Sequence, residues 1–292
     1  MGRFFIGFFI AFIVVAPLAQ AQNTFEEGVE LLENGKIQQA KIVFSEYEDK
    51  EEAIDYLGDI ASFNKNWDIA IEYYRELVDR KPDSAEYHFK LGGALGMKAL
   101  EGSKFQAALL VNELKKSLLT AAELDPQHAE VRRALVEFYM QIPSIIGGGK
   151  NPAMEYVQEL EDINKIDAHL AKAHIFKIEE EPEALQEEIE RAIKVAVNNP
   201  DLITRNQVNF ELGERAAVLN ISPDEASEFL ERYIANYGYK DLKSPAFAYL
   251  HLARIKASQN NRSEALKNIN LAIDYKLIFP EAEKEKMRIL QM

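Results

Sequence analysis

Between Ile54 and Pro82 the chain reads IDYLGDIASFNKNWDIAIEYYRELVDRKP, two segments of helical period joined by the polar turn Asn64-Lys65-Asn66. Leu57-Gly58 stand in the middle of the first segment, where glycine costs about 1 kcal/mol against alanine. Such a cost is tolerated where a neighbouring element comes close, and Ala70 and Tyr74 on the second segment are placed to face back onto it. Pro82 closes the pair, since proline cannot continue a helix. One such pair buries a single face, so it needs neighbours of its own kind. The chain supplies them. Leu91-Gly92 lies 34 residues after Leu57-Gly58, and Gly28, Leu31, Ala40 and Phe44 precede Gly58, Ala61, Ala70 and Tyr74 by thirty.

Leu57, Gly58, Ala70, Tyr74 and Pro82 match the tetratricopeptide (TPR) template, while Ile54 and Ala61 replace its two large aromatics. The stretch resembles a TPR repeat, and an exported bacterial TPR protein is the type suspected. Units are expected near 25–50, 53–82, 85–126, 129–165, 168–200, 204–238 and 245–277, with a capping helix at 280–292. The first is four residues short, which predicts a tight join near Glu51-Glu52. In the third, Asp125-Pro126 follows Pro82 by 44 residues, so the ten extra around Met97–Gln106 lengthen its helices, with a turn near Glu101-Gly102-Ser103. In the sixth, Ser222 before Pro223 reads as an N-cap, ahead of acids in the first turn. The expected fold is all-α: a right-handed superhelical solenoid of about seven TPR-like helix-turn-helix units.

Residues 1–21 read as a cleaved export signal: Arg3, then an apolar or glycine run from Phe4 to Ala16, then Ala19-Gln20-Ala21. The run is shorter than the roughly 20 residues a membrane span needs. The expected location is the periplasm, as a soluble chain. Cysteine is absent, which removes disulfides, thiolate metal sites, cysteine nucleophiles and attachment of lipid through cysteine. The formal charge of −14 disfavours nucleic acid and anionic lipid, and favours basic or apolar partners.

Chemistry-bearing motifs are sparse. Gly147-Gly148-Gly149-Lys150 invites comparison with a phosphate loop, but Asn151 follows the lysine and no strand precedes it. A structural loop that lets two helices approach is the first reading and a backbone N–H nest for an anion the second; as the sharpest departure from an ordinary repeat, this stretch is also the first choice for a functional loop. His169 and His174 are five apart on one helix, about 140° round its axis, and do not converge as metal ligands at i and i+4 do. No carboxylate pair is singled out for acid–base work. The expectation is a non-enzyme, without cofactor or metal.

The TPR resemblance implies a binding scaffold whose first helices line a concave groove. Carried over by position, that groove includes Asp55, Asp59, Phe89, Met97, Arg133, Glu137, Met140, His169, Phe176 and Arg254, with Phe210, Ala173 and Leu250 alongside. The carboxylate clamp of chaperone-binding TPRs is not implied, because Asp55 and Asp59 occupy the places of its first Lys and Asn. A protein partner presenting a basic or apolar segment in the cell envelope is the leading expectation. The alternative is a transporter-associated carrier of an apolar small molecule, with a pocket in units three and four lined by Phe89, Met97, Met140 and the 142–149 loop.

Overall fold

The structure is a computed structural model that describes residues 24–292 as fifteen α-helices, with no strand among them. They follow as hairpins: α1 (Phe25–Glu33) with α2 (Ile37–Ser45), α3 (Glu51–Phe63) with α4 (Trp67–Arg80), and α5 (Ala85–Glu101) with α6 (Lys104–Leu124). Then come α7 (Ala129–Gln141) with α8 (Lys150–Ile163), α9 (Lys165–Ile178) with α10 (Pro182–Asn198), and α11 (Asn206–Leu219) with α12 (Pro223–Ala235). Last are α13 (Pro245–Ser258) with α14 (Arg262–Tyr275), and α15 (Pro280–Leu290), which packs on both of them. Each helix touches mainly its sequence neighbours, the one-dimensional packing of a solenoid.

The turns inside the hairpins share one piece of chemistry. Gly35, Lys65, Glu180, Asn220 and Asn260 all adopt a left-handed backbone. The next N–H then reaches back five residues: Lys36 to Leu31, Asn66 to Ala61, Glu181 to Phe176, Ile221 to Ala216 and Asn261 to Lys256, at 2.8–3.0 Å. This closure satisfies the last carbonyls of the first helix and turns the chain back on itself. Side-chain caps from Thr24, Ser84, Ser103, Asn164, Ser244 and Asn261 start many of the following helices.

Ser222 is a correction. It holds the N-cap position of α12, but its own backbone is left-handed and its hydroxyl caps nothing. The following Pro223 disfavours the right-handed conformation at Ser222. The shortness of the first hairpin is a second correction. It is absorbed by helices of nine residues each, not by the join, which spans five residues, 46–50.

Small residues set how closely the paired helices approach. A Cβ built on Gly58 falls 2.5 Å from the Tyr74 ring, and one on Gly213 falls 2.5 Å from Leu230. The third hairpin is the longest, with helices of 17 and 21 residues, and its far end leaves Leu100, Phe105 and Leu109 exposed. The export segment expected at residues 1–21 lies outside the described residues. Among the described residues no helix is long and apolar enough to cross a membrane.

Candidate functional site: a charge ladder on the inner face

The first helices of the hairpins (α3, α5, α7, α9, α11, α13) stand side by side, and ionic contacts run from each to the next. Lys90 on α5 reaches both Asp55 (2.6 Å) and Asp59 (2.9 Å) on α3, and Asp59 also accepts from the Tyr74 hydroxyl at 2.9 Å. Glu86 meets His128, at the start of α7, at 3.3 Å. Arg133 on α7 donates to Asp167 on α9 at 3.1 Å and reaches Glu211 on α11 at 2.8 Å. Arg205 closes on Asp167 from the other side at 2.6 Å, and Arg215 adds a contact to Glu211 at 3.0 Å. His251 approaches Glu214 at 3.5 Å, and Arg254 reaches Glu281 on α15 at 2.7 Å.

The Arg133 pairing spans two hairpins, from the fourth to the sixth, so the inner face is tightly curved there. Arg133 and Asp167 are nearly closed off, with side chains 10% and 1% exposed. Burial opposes their charges, but each is charged because the other is. The two arginines hold Asp167 below the usual carboxylate range against its burial, and Arg133 and Arg215 bring Glu211 down to about 2. Glu137, one turn beyond Arg133, has no ion-pair partner among the described residues. Enclosure raises its carboxyl, with Arg133 pulling the other way. Near the other end, burial and the adjacent Asp59 raise Asp55, against the pull of Lys90.

His174 faces the same network from α9, and its Nε2 is enclosed without a hydrogen-bond partner. Burial first, then Arg215 and Arg133, push the ring down to about 4, with Glu211 opposing. The ring therefore stays neutral in the folded chain, while the unfolded chain protonates it near 6.5. Stability is full above 6.5 and falls as pH drops from there towards 4. In His174→Gln, up to about 3 kcal/mol of that fall disappears, read as the difference between the two proteins' urea-unfolding free energies at pH 7 and pH 4.5. An unchanged pH dependence overturns the assignment.

The ladder brings Asp55, Asp59, Arg133 and Glu137 onto the inner face, and places Arg254 at its last rung. His169 and Phe176 are corrections. His169 Nδ1 lies 2.6 Å from Glu188 on α10, and Phe176 lies under Lys150, whose Nζ is 5.2 Å from its ring centre. They are seven residues apart, so they share one face of α9, roughly opposite the one that carries Asp167 and His174, which meet α7 and α11. Ala173, Phe210 and Leu250 are core residues, each 1% exposed or less. Phe89 packs at a tilt on His128, ring centres 5.0 Å apart, and Met97 and Met140 pack against the core that runs from the second hairpin to α9. Sequence reasoning missed Lys90, Asp167, Arg205 and Glu211. Lys90 carried a signal, standing 35 residues after Asp55, about one repeat.

The 142–150 loop is a short 3-10 turn, Ser144–Ile146, followed by left-handed Gly147. The N–H groups of Gly147, Gly148 and Gly149 donate to Ser144, Pro143 and Tyr139 carbonyls at 3.0, 3.2 and 2.7 Å. All three are consumed inside the turn, so they make no anion nest. Gly148 has no alternative: a Cβ there falls 1.9 Å from the Ile142 carbonyl oxygen. Lys150 pairs with Glu181 at 2.9 Å. The loop turns two apolar side chains outward, Ile145 at 91% and Ile146 at 52% exposed.

A cleft of about 350 Å3 opens among α8, α9 and α10, lined by Glu161, Asp162, Ile163, Lys165, Val195, Asn199 and Leu202. None of Phe89, Met97, Met140 or residues 142–149 lines it. Among the described residues no group of three or more acids and histidines is disposed to hold a metal ion.

Helical hairpins stacked in sequence around a ladder-bearing inner face define an all-α solenoid of the tetratricopeptide type. The fold is similar to that of a chain in the APC/C hetero-tetramer Cut9–Hcn1, with 13% identity over 91% of this chain and a TM-score of 0.54. It is also similar to human IFIT1, solved as a dimer with PPP-AAAA, with 15% identity over 86% of this chain and a TM-score of 0.53. This chain spans about half of each, 48% and 54% of their lengths. A tetratricopeptide repeat protein from Parabacteroides merdae is matched over 92% of this chain and 97% of its own, at 12% identity and a TM-score of 0.48. No protein-family model and no curated protein matches the sequence.

Proposed function

We propose that the protein is a non-catalytic interaction scaffold of the bacterial cell envelope, and that its inner face takes a basic or apolar segment of a protein partner. One observation carries the reading: three acids, Asp55, Asp59 and Glu86, lie within 4.0 Å of Lys90 at the first rung of the ladder, with His128 and Lys240 acting on Glu86 alone. Asp55 and Asp59 share that one lysine, which leaves a negative charge in excess, and an incoming Lys or Arg is the group that neutralises it. Along the rest of the ladder the charges neutralise one another, so they fix curvature and leave little free charge for catalysis. The similar chain of the Cut9–Hcn1 assembly sits in a hetero-tetramer, a setting in which this fold contacts other proteins. The carrier reading draws no support from the concavities, since its residues line none of those described above.

The test is a pull-down from envelope extract with residues 22–292, beside a variant carrying Asp55→Asn, Asp59→Asn and Glu86→Gln. The expected result is one co-purifying protein, depleted at least tenfold by the three neutral substitutions. Equal recovery by both forms overturns the reading. A bound apolar small molecule found by mass spectrometry, with no protein retained, replaces it by the carrier.

A further inference from the structure

The connection from α12 to α13, residues 236–244, is the longest between successive hairpins, and it is shaped. Asp241 N–H donates to the Gly238 carbonyl at 3.0 Å, and Asp241 Oδ2 accepts from Gly238 N–H at 2.9 Å. These bonds close a four-residue turn. Asn206 Nδ2 anchors it to the sixth hairpin by donating to Asp241 Oδ2 and to the Tyr233 carbonyl, both at 3.0 Å. Tyr237 packs edge-on against Tyr233. The two residues at the tip of this braced turn are Tyr239 and Lys240, with the lysine over the tyrosine ring at 5.8 Å.

The tip belongs to the sixth hairpin but lies against the first two. Tyr239 packs on the cluster of Leu32, Phe44, Leu57 and Ile60, beside Tyr56. Burial there, with the charge of Asp59 next, pushes its hydroxyl up to about 12. Lys240 is near enough to Glu86 to add to the pull of His128 and Lys90, which together hold that carboxyl low. Among the described residues no hydrogen bond or ion pair within 4 Å ties Tyr239 or Lys240 to α3 or α5. The contact is therefore a tyrosine ring on a largely aliphatic wall and a lysine within electrostatic reach of Glu86, held in place from behind.

We propose that this turn is an internal ligand: Tyr239 and Lys240 occupy the place on the inner face of α3 and α5 where a partner segment bearing an aromatic residue followed by a basic one docks. The proposal rests on the scaffold reading and names the recognition chemistry of its acid-rich end. The partner displaces the turn, and the turn weakens apparent affinity by the fraction of time it spends in place. Occupancy of nine-tenths corresponds to about a tenfold weaker apparent Kd.

The probe is a fluorescent synthetic peptide with the sequence of residues 236–244, titrated onto the full chain by anisotropy. Tyr239→Ser/Lys240→Ser empties the site while keeping Gly238, Asp241 and Asn206, which brace the turn. This variant is expected to bind the peptide at least tenfold more tightly than the unaltered chain. Adding Asp55→Asn/Asp59→Asn is expected to abolish that binding. Circular dichroism and hydrogen exchange across α11–α13 verify that both variants are folded. A folded variant that binds no peptide, binds it no better than the unaltered chain, or binds it regardless of Asp55 and Asp59 overturns the proposal. If the peptide fails while the neutralised protein still loses its captured partner, only the internal ligand falls and the scaffold stands. If neither experiment responds to the acids, both fall.

Discussion

Arg133→Ala is expected to destabilise the fourth to sixth hairpins by about 3–5 kcal/mol, the usual cost of removing one partner from a buried ion pair. The reason is what remains behind. Asp167 is sealed from solvent and keeps only Arg205, and Glu211 keeps only Arg215. Glu137, whose carboxyl burial already raises and Arg133 pulls back, loses its nearest cation. Because a solenoid passes stability mainly between neighbours, the loss should be greatest where the pair is lost. Hydrogen exchange is expected to accelerate most in α7, α9 and α11 and far less in α1–α4. The double change Arg133→Met/Glu211→Gln should recover part of the loss, since it removes charge from both sides of one contact. A variant as stable as the parent, or one loosened uniformly along the chain, contradicts the ladder as described.

Gly58→Leu is expected to cost about 3 kcal/mol, the upper part of the range for overpacking a filled core. The first added atom already meets Tyr74 Cε1 at 2.5 Å, Cδ1 at 3.0 Å and Cζ at 3.1 Å. Tyr74 cannot move aside cheaply. It is 3% exposed, its hydroxyl donates to Asp59 at 2.9 Å, and Ser62 Oγ lies 3.1 Å from it. Displacing the ring therefore disturbs the acid cluster around Lys90 as well as the hairpin. Gly93→Ala is the control, with opposite sign. A Cβ there meets nothing within 4 Å, so the substitution is expected to gain up to about 1 kcal/mol from helix propensity alone. Urea unfolding of the two variants checks both signs. If Gly58→Leu leaves the midpoint unchanged, the close approach of α3 and α4 is not what the small residue is for.

The sequence determined the hairpin and its repetition, because both rest on contacts at short range. A helix buries residues three and four apart, and its partner begins a few residues later, so Leu57-Gly58, Ala70 and Tyr74 encode their own packing. The rung from Asp55 to Lys90 was legible in principle for the same reason, since adjacent first helices meet about one repeat apart. Tertiary structure alone decided the rest. Curvature accumulates from small rotations between hairpins, and no spacing in the chain announces that Arg133 meets Glu211, 78 residues on, or that Tyr239 packs on the core of the first two hairpins. On α9 the sequence identified the helix but not its rotation. The side carrying Asp167 and His174 faces inward because arginines on two neighbouring hairpins pull the acid there, and that choice exists only once the stack has curved.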